Sequence, residues 1–304
     1  MLLQGSICAL VTPFGVDENI DFPALRNLVD WHLGCGTQAL VIAGSTGEAA
    51  LLDDDEYADL IGAAVVAAAG RLPIIAGVGS PSTRKSLVLA CAARVAGAAA
   101  VLAVTPYYVR PTQQGMRSHY LRIAEHCGIP LILYNVPGRT GCDLLPETVA
   151  ELAGHPAIIG LKEAVADEQR MRQLLALATP GFAILSGDDP TALRAMLAGA
   201  VATISVAANV VPRTFSRLCA LAAQGQHAEA TLLDQQLQSL YAALGVQSNP
   251  IPAKWLLHRM GRLHGVLRAP LHELAEEYRE RVDACLTGIH HREATMVSDT
   301  DGNG

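Results

Sequence analysis

The chain has 304 residues, 51% of them hydrophobic and 17% charged, with a mean hydropathy of +0.28, a net charge of −7 and a pI near 5.8. This balance describes a globular protein of one or two domains with a large alanine-rich core, and it excludes a nucleic-acid-binding surface, because the 22 Lys and Arg residues are scattered rather than clustered. No uncharged apolar run is long enough to span a bilayer, and no basic segment precedes the short apolar stretch at the N-terminus; neither a membrane span nor a signal peptide is expected, and a cytoplasmic location is the default.

In chain order, short apolar or β-branched runs recur at Ile7–Phe14, Ala39–Gly44, Pro73–Val78, Ala99–Pro106, Leu131–Pro137, Ile158–Ala164, Phe182–Gly187 and Ala202–Ala208. Helical spacing separates them at Phe22–Leu33, Asp54–Ala69, Arg84–Val95, Gln114–Cys127, Pro146–Ala153, Glu168–Leu177, Thr191–Ala198 and Arg213–Ala223. Strands buried on both faces read as continuous apolar runs, and an eightfold strand–helix alternation predicts an α/β fold, a closed (β/α)8 TIM barrel over residues 1–225. An open doubly wound sheet is the alternative. It usually carries a glycine-rich dinucleotide loop after its first strand, and Thr12-Pro13-Phe14-Gly15 is not one.

Further helical sequence at Gln226–Leu244, Pro252–Met260 and Pro270–Leu286 predicts a C-terminal helical domain over residues 226–286, and the polar stretch 287–304 is expected to be a disordered tail. The seven cysteines are odd in number, widely spaced and never in C-x-x-C, which suits reduced, packed thiols. The ten histidines form no metal-binding spacing, so no metal site is expected.

The chemistry centres on the sixth run, Ile158-Ile159-Gly160-Leu161-Lys162-Glu163-Ala164. Only three of the 22 basic residues are lysines, Lys85, Lys162 and Lys254, so an arginine-rich chain keeps a lysine in its most apolar surroundings. A desolvated lysine amine loses its proton and attacks a carbonyl to form a Schiff base, which a guanidinium cannot do. The plain structural alternative is a salt-bridged lysine at a strand end, paired with Glu163 or Glu48.

In a barrel of this type the active site is built at the C-terminal ends of the strands. There the sequence places Gly44-Ser45-Thr46-Gly47-Glu48, Thr105-Pro106-Tyr107-Tyr108, Tyr134-Asn135 with Pro137-Gly138-Arg139-Thr140-Gly141, and Ser186-Gly187-Asp188-Asp189. Gly44–Glu48 reads by itself as a turn and helix cap; beside an amine nucleophile its backbone N–H groups suit a substrate carboxylate. Tyr134 is either a core aromatic or a proton shuttle beside Lys162, and Arg139 either a surface residue or a bidentate carboxylate binder.

Taken together, G-S-T-G-E, T-P-Y-Y-x-R-P, Y-N-V-P-G-R-T-G, G-L-K-E-A, S-G-D-D and N-P-I-P-A-K, in this order and spacing from about Ile7 to Leu286, resemble the dihydrodipicolinate synthase branch of the pyruvate-dependent class I aldolase family. The resemblance implies condensation of pyruvate with L-aspartate 4-semialdehyde, at the entry to the diaminopimelate route to lysine, by a homotetramer that needs no cofactor. By position, Lys162 would form the Schiff base. Tyr134, Ser45 and Tyr108 would form a proton relay, with Tyr108 reaching into a neighbouring subunit's site. Thr46 would hold the pyruvate carboxylate through its N–H, Arg139 the carboxylate of the semialdehyde, and Gly187 and Ile204 would line the pocket. Ser45 departs from the threonine usual in this branch but keeps the hydroxyl.

A second departure concerns regulation. In feedback-inhibited members, His, Asn and Glu side chains hold lysine at a dimer interface, and the matching positions here are Asp54, Tyr57, Pro81 and Lys85. A cation at 85 would repel the effector's ammonium, which implies weak or absent inhibition. The rival readings are an N-acetylneuraminate or 2-keto-3-deoxy sugar acid lyase with the same lysine and tyrosine, a pyridoxal phosphate enzyme using Lys162, and a non-catalytic barrel. Cys142, near Arg139, is either reactive or merely packed.

Overall fold

A computed structural model of the protein describes residues 3–298. Eight parallel strands, β1 (Gly5–Ala9), β2 (Ala39–Ile42), β3 (Ile74–Gly77), β4 (Ala100–Val104), β5 (Leu131–Asn135), β6 (Ile158–Glu163), β7 (Ala183–Ser186) and β8 (Ala202–Ser205), pair in chain order and close, β1 against β8, into a barrel. The protein is therefore a (β/α)8 TIM barrel. Outside the strands run α1 (Phe22–Gly34), α2 (Asp54–Ala68), α3 (Thr83–Val95), α4 (Gln113–His126), the single turn α5 (Pro137–Thr140), α6 (Pro146–Ala153), α7 (Glu168–Leu175), α8 (Ala192–Leu197) and α9 (Pro212–Ala223). Then follow α10 (His227–Leu244), α11 (Ile251–Arg259), α12 (Glu276–Asp283) and α13 (Leu286–Ser298).

Local chemistry explains the helix starts. Asp21, Ser82, Thr112 and Asp167 each accept a hydrogen bond from a backbone N–H of the first helical turn, satisfying a donor that has no intrahelical partner. The strands are apolar on both faces because one face meets the helices and the other fills the barrel. Ile7, Ala9, Val41, Ile75, Leu102, Ile132, Tyr134, Leu185 and Ile204 form the interior cluster, while Cys8, Leu40, Leu133 and Leu161 join the larger core under the helices. The strands thus alternate with period two, interrupted in β6 by a register shift around Ile159, and beyond it this parity decides which side chains reach the mouth.

Several boundaries differ from the sequence reading. The observed strands end two to five residues before the apolar runs do at β1, β2 and β5, because Leu10, Val11, Ala43 and similar residues are buried around the mouth without being paired. Apolarity marks burial and not the end of the ladder. Helical structure over Pro270–Leu286 is confined to α12 and the first residue of α13. The 266–271 stretch instead crosses the barrel mouth, where Arg268 donates its N–H to Glu48 and its guanidinium to Glu56. The expected disorder over 287–304 is corrected in part: Thr287–Ser298 belongs to α13, and residues 299–304 lie outside those described. Glu293 of α13 accepts from the N–H groups of Arg213 (3.2 Å) and Thr214 (2.9 Å) and from the Thr214 hydroxyl (2.6 Å), closing the open start of α9.

Candidate active site

Lys162 is the register partner of Tyr134 on the adjacent strand, and both point into the barrel. The Nζ atom lies 4.2 Å from the centroid of the tyrosine ring. Lys162 is 5% exposed, and the loss of water around it draws its pKa from 10.5 down to about 8, against the opposing pull of the Asp189 carboxylate and with the help of the Arg139 charge. Burial also lifts the Tyr134 phenol to about 12, so its proton stays in place near neutral pH.

The salt-bridge alternative fails on parity. Glu163 faces outward, where Arg170 (2.8 Å) and Asn135 hold it, and Glu48 pairs with the buried Lys254. Among the described residues no carboxylate forms an ion pair with Lys162. The Lys162 amine is thereby left facing a cavity of about 540 Å³, walled in part by Ser45, Thr46, Tyr134, Arg139 and Gly187 and floored by Ala9, Val41 and Leu102.

Each wall has a local cause. Ser45 and Thr46 sit in a tight loop closed by Glu48 N–H to Ser45 O (3.2 Å) and Ala49 N–H to Gly44 O (3.2 Å), and the Thr12 hydroxyl holds Gly47 O at 2.7 Å. Gly187 is required by its neighbour, since a Cβ there would stand 2.6 Å from Cε and 2.8 Å from Cγ of Lys162. Arg139 extends from α5, a turn opened by Pro137 and ended by Gly141 at φ 72°, and donates across the mouth to Asn249 O (2.5 Å) and Ser248 Oγ (3.4 Å). Six of the eight expected residues therefore share one cavity.

The other two do not line it. Ile204 is packed in the barrel interior, and Val206, two residues on and of the same parity, takes the wall position. Tyr108 is 90% exposed with φ +70° and points away from its own cavity, while Tyr107 lines the wall. Cys142 is packed, its Sγ donating to Pro106 O at 3.2 Å.

Three contributors were not assigned roles from sequence. Asp189 is half-buried, its charge acting on Lys162, and accepts from the N–H groups of Val206 (3.1 Å) and Ala207 (2.7 Å). Ser248 and Asn249 bring the C-terminal segment onto the rim, with Asn249 Nδ2 donating to the Thr46 hydroxyl at 2.9 Å. The S-G-D-D motif held Asp189 and N-P-I-P-A-K held Asn249, whereas Ser248, just before the latter, carried no signal.

The fold, with a desolvated amine facing its mouth, defines a (β/α)8-barrel lyase of the class I aldolase type. The chain matches the dihydrodipicolinate synthetase family over residues 2–289 and belongs to it. It is 50% identical over 283 residues, 93% of each chain, to 4-hydroxy-tetrahydrodipicolinate synthase of Xanthomonas axonopodis pv. citri (strain 306). It is 48% identical over 281 residues, 92% of this chain and 97% of the other, to the synthase of the same name from Methylococcus capsulatus (strain ATCC 33009 / NCIMB 11132 / Bath). Among solved structures, the chloride-inhibited dihydrodipicolinate synthase of Acinetobacter baumannii complexed with pyruvate superposes with a TM-score of 0.93 at 45% identity, covering 95% of this chain and 99% of that one.

Proposed function

We propose that this enzyme condenses pyruvate with L-aspartate 4-semialdehyde to 4-hydroxy-tetrahydrodipicolinate, the entry step of the diaminopimelate route to lysine, with Lys162 as its nucleophile. The observation that carries this reading is the unpaired, buried amine of Lys162 against the ring of Tyr134, in a family whose relatives bear the name of that activity.

In its neutral form the amine adds to the ketone carbon of pyruvate. Tyr134 gives a proton to the developing alkoxide and, relayed through the Ser45 hydroxyl, the carbinolamine loses water to give the iminium. Loss of a proton from the methyl carbon yields an enamine, which attacks the aldehyde carbon of the second substrate. The amine of that substrate then displaces Lys162 and closes the ring, so one water is released overall and the lysine is regenerated. The N–H of Thr46 serves the pyruvate carboxylate and Arg139 the carboxylate of the semialdehyde. Gly187 provides close backbone approach beside Lys162, and Ile204 supports the wall from beneath. The chemistry is complete with side chains and substrates, without a cofactor.

Tyr108 acts in this scheme in a neighbouring subunit's relay. Its 90% exposure, with Val109 at 55%, leaves an apolar projection that a second copy would cover, in a homotetramer located in the cytoplasm. Sedimentation of the protein tests the assembly.

Borohydride reduction with pyruvate present, followed by intact mass and peptide mapping, tests the nucleophile, and turnover of aspartate semialdehyde on the same sample tests the substrate. A pyruvyl adduct on Lys162 with turnover is expected. An adduct without turnover would shift the assignment to the sugar-acid lyases, and absence of the adduct would remove Lys162 from the mechanism.

A further inference from the structure

The N-P-I-P-A-K segment has no part in the chemistry above, yet it touches the carboxylate-binding loop at two points. At one end, Asn249 Nδ2 donates to Thr46 Oγ1 at 2.9 Å. At the other, Lys254 on α11 pairs with Glu48, with both side chains fully buried. Residues five apart in one segment thus hold residues two apart in another, roughly two hundred positions away in sequence.

The second grip is an unusual choice for stability alone. Withdrawing two charges from water is costly, and a well-packed apolar pair of similar volume is commonly as stable or more so. What an ion pair adds is direction. Lys254 Nζ is itself fixed, donating to Val266 O at 2.7 Å and lying 4.2 Å from the Phe14 ring centroid. The other oxygen of Glu48 accepts the N–H of Arg268 at 3.1 Å. Glu48 meanwhile holds φ +56°, a left-handed conformation that a residue with a Cβ adopts only where its surroundings impose it. That conformation closes the loop on which Ser45 and Thr46 stand. The same segment also accepts from Arg139 through Asn249 O, so both expected carboxylate holders meet it.

We propose that the Asn249–Lys254 segment is a two-point clamp that sets the Gly44–Glu48 loop in the geometry that receives the pyruvate carboxylate. Lys254, Glu48 and Asn249 are positioning residues in it. They act through Ser45 and Thr46 and need not touch the substrate. The inference rests on the pyruvate reading given above.

The test is the pyruvate concentration that half-saturates borohydride trapping at Lys162, read by intact mass alongside thermal melting. It is applied to the unaltered protein, the double variant Glu48→Leu/Lys254→Met and the single variant Asn249→Ala. The double variant removes both charges together and is expected to melt close to the unaltered protein while half-saturation rises at least about tenfold, because a loop displaced by a fraction of an ångström no longer presents its N–H groups. Asn249→Ala is expected to raise it roughly threefold or more for the same reason. If the double variant does not fold, Asn249→Ala decides the matter. Wild-type half-saturation in every folded variant would overturn the clamp, whatever happens to melting. Absence of any adduct in the unaltered protein would instead overturn the pyruvate reading, and the clamp with it.

Discussion

Lys162 and Tyr134 are register partners on neighbouring strands whose side chains meet inside the barrel, the amine 4.2 Å from the ring centroid and both residues more than nine-tenths buried. One residue along either strand the side chain would face the helices, as Glu163 and Leu133 do. The pair is set by parity and by the β5–β6 register, and most of the expected behaviour of the protein follows from it.

Replacing Lys162 by methionine is expected to abolish the borohydride-trapped pyruvyl adduct and to lower kcat by at least about a thousandfold, since among the described residues no other lysine lines the cavity. The same change is expected to stabilise the fold at neutral pH. An amine whose pKa falls from 10.5 to about 8 on folding opposes folding whenever it is protonated. That cost is fully present below about pH 8 and fades between pH 8 and 10.5, amounting to roughly 3 kcal/mol at neutrality. Denaturant unfolding of both proteins at pH 7 checks it; equal or lower stability of the variant would contradict the buried-charge account.

The pH dependence of trapping has a defined sign. Only the neutral amine adds to a carbonyl, so the rate of adduct formation is expected to fall as pH drops below about 8 and to level off above it. A stopped-flow profile of the pyruvate step reads the midpoint directly. A midpoint at 10 or above would mean that the site is wetter than its burial implies.

Tyr134→Phe keeps the ring against Lys162 and removes the hydroxyl. Because burial holds that phenol protonated up to about pH 12, its loss is expected to slow adduct formation and turnover by about a hundredfold to ten-thousandfold, the range for general acid catalysis, with little effect on melting. Wild-type adduct kinetics in this variant would reduce Tyr134 to packing.

Gly187→Ala probes the backbone's close approach to Lys162. The added methyl would stand 2.6 Å from Lys162 Cε, and the flexible end of that side chain must move to admit it. The variant is expected to fold and to lose about a hundredfold in kcat/KM through misplacement of the amine. Full activity would mean that the amine retunes its position without cost.

Lysine is expected to inhibit weakly or not at all. Lys85 pairs with Asp54, so the one acidic side chain among the four matching positions is already occupied by a cation belonging to the chain. Assays with added lysine check this. Half-inhibition at submillimolar lysine would contradict it, and Lys85→Glu is expected to increase sensitivity.

The barrel was legible because eight apolar runs alternate with amphipathic ones, a pattern few folds share. Lys162 stood out because desolvation of an amine leaves a sequence trace, a rare lysine in an apolar strand. Parity separated it from Glu163, but the partner of Glu48 could not be read, because Lys254 comes to it from a helix beyond the barrel. Asn249 escaped for the same reason: its role depends on where a distant rim segment docks, which no local period encodes. The short α5 turn read as loop because one turn of helix carries no periodicity, and α13 read as disorder because polar composition does not reveal that Glu293 closes the start of α9.

The grip of Lys254 on Glu48 also orders events during synthesis. The Gly44–Glu48 loop is made early, but the side chains that contact it, Asn249 and Lys254, emerge only after some two hundred further residues, and Arg268 comes later still. A nascent chain halted after β8 would hold Lys162 and Tyr134 yet present an unfastened rim to solvent. The rim is complete only once α11 and the stretch through Arg268 have been made.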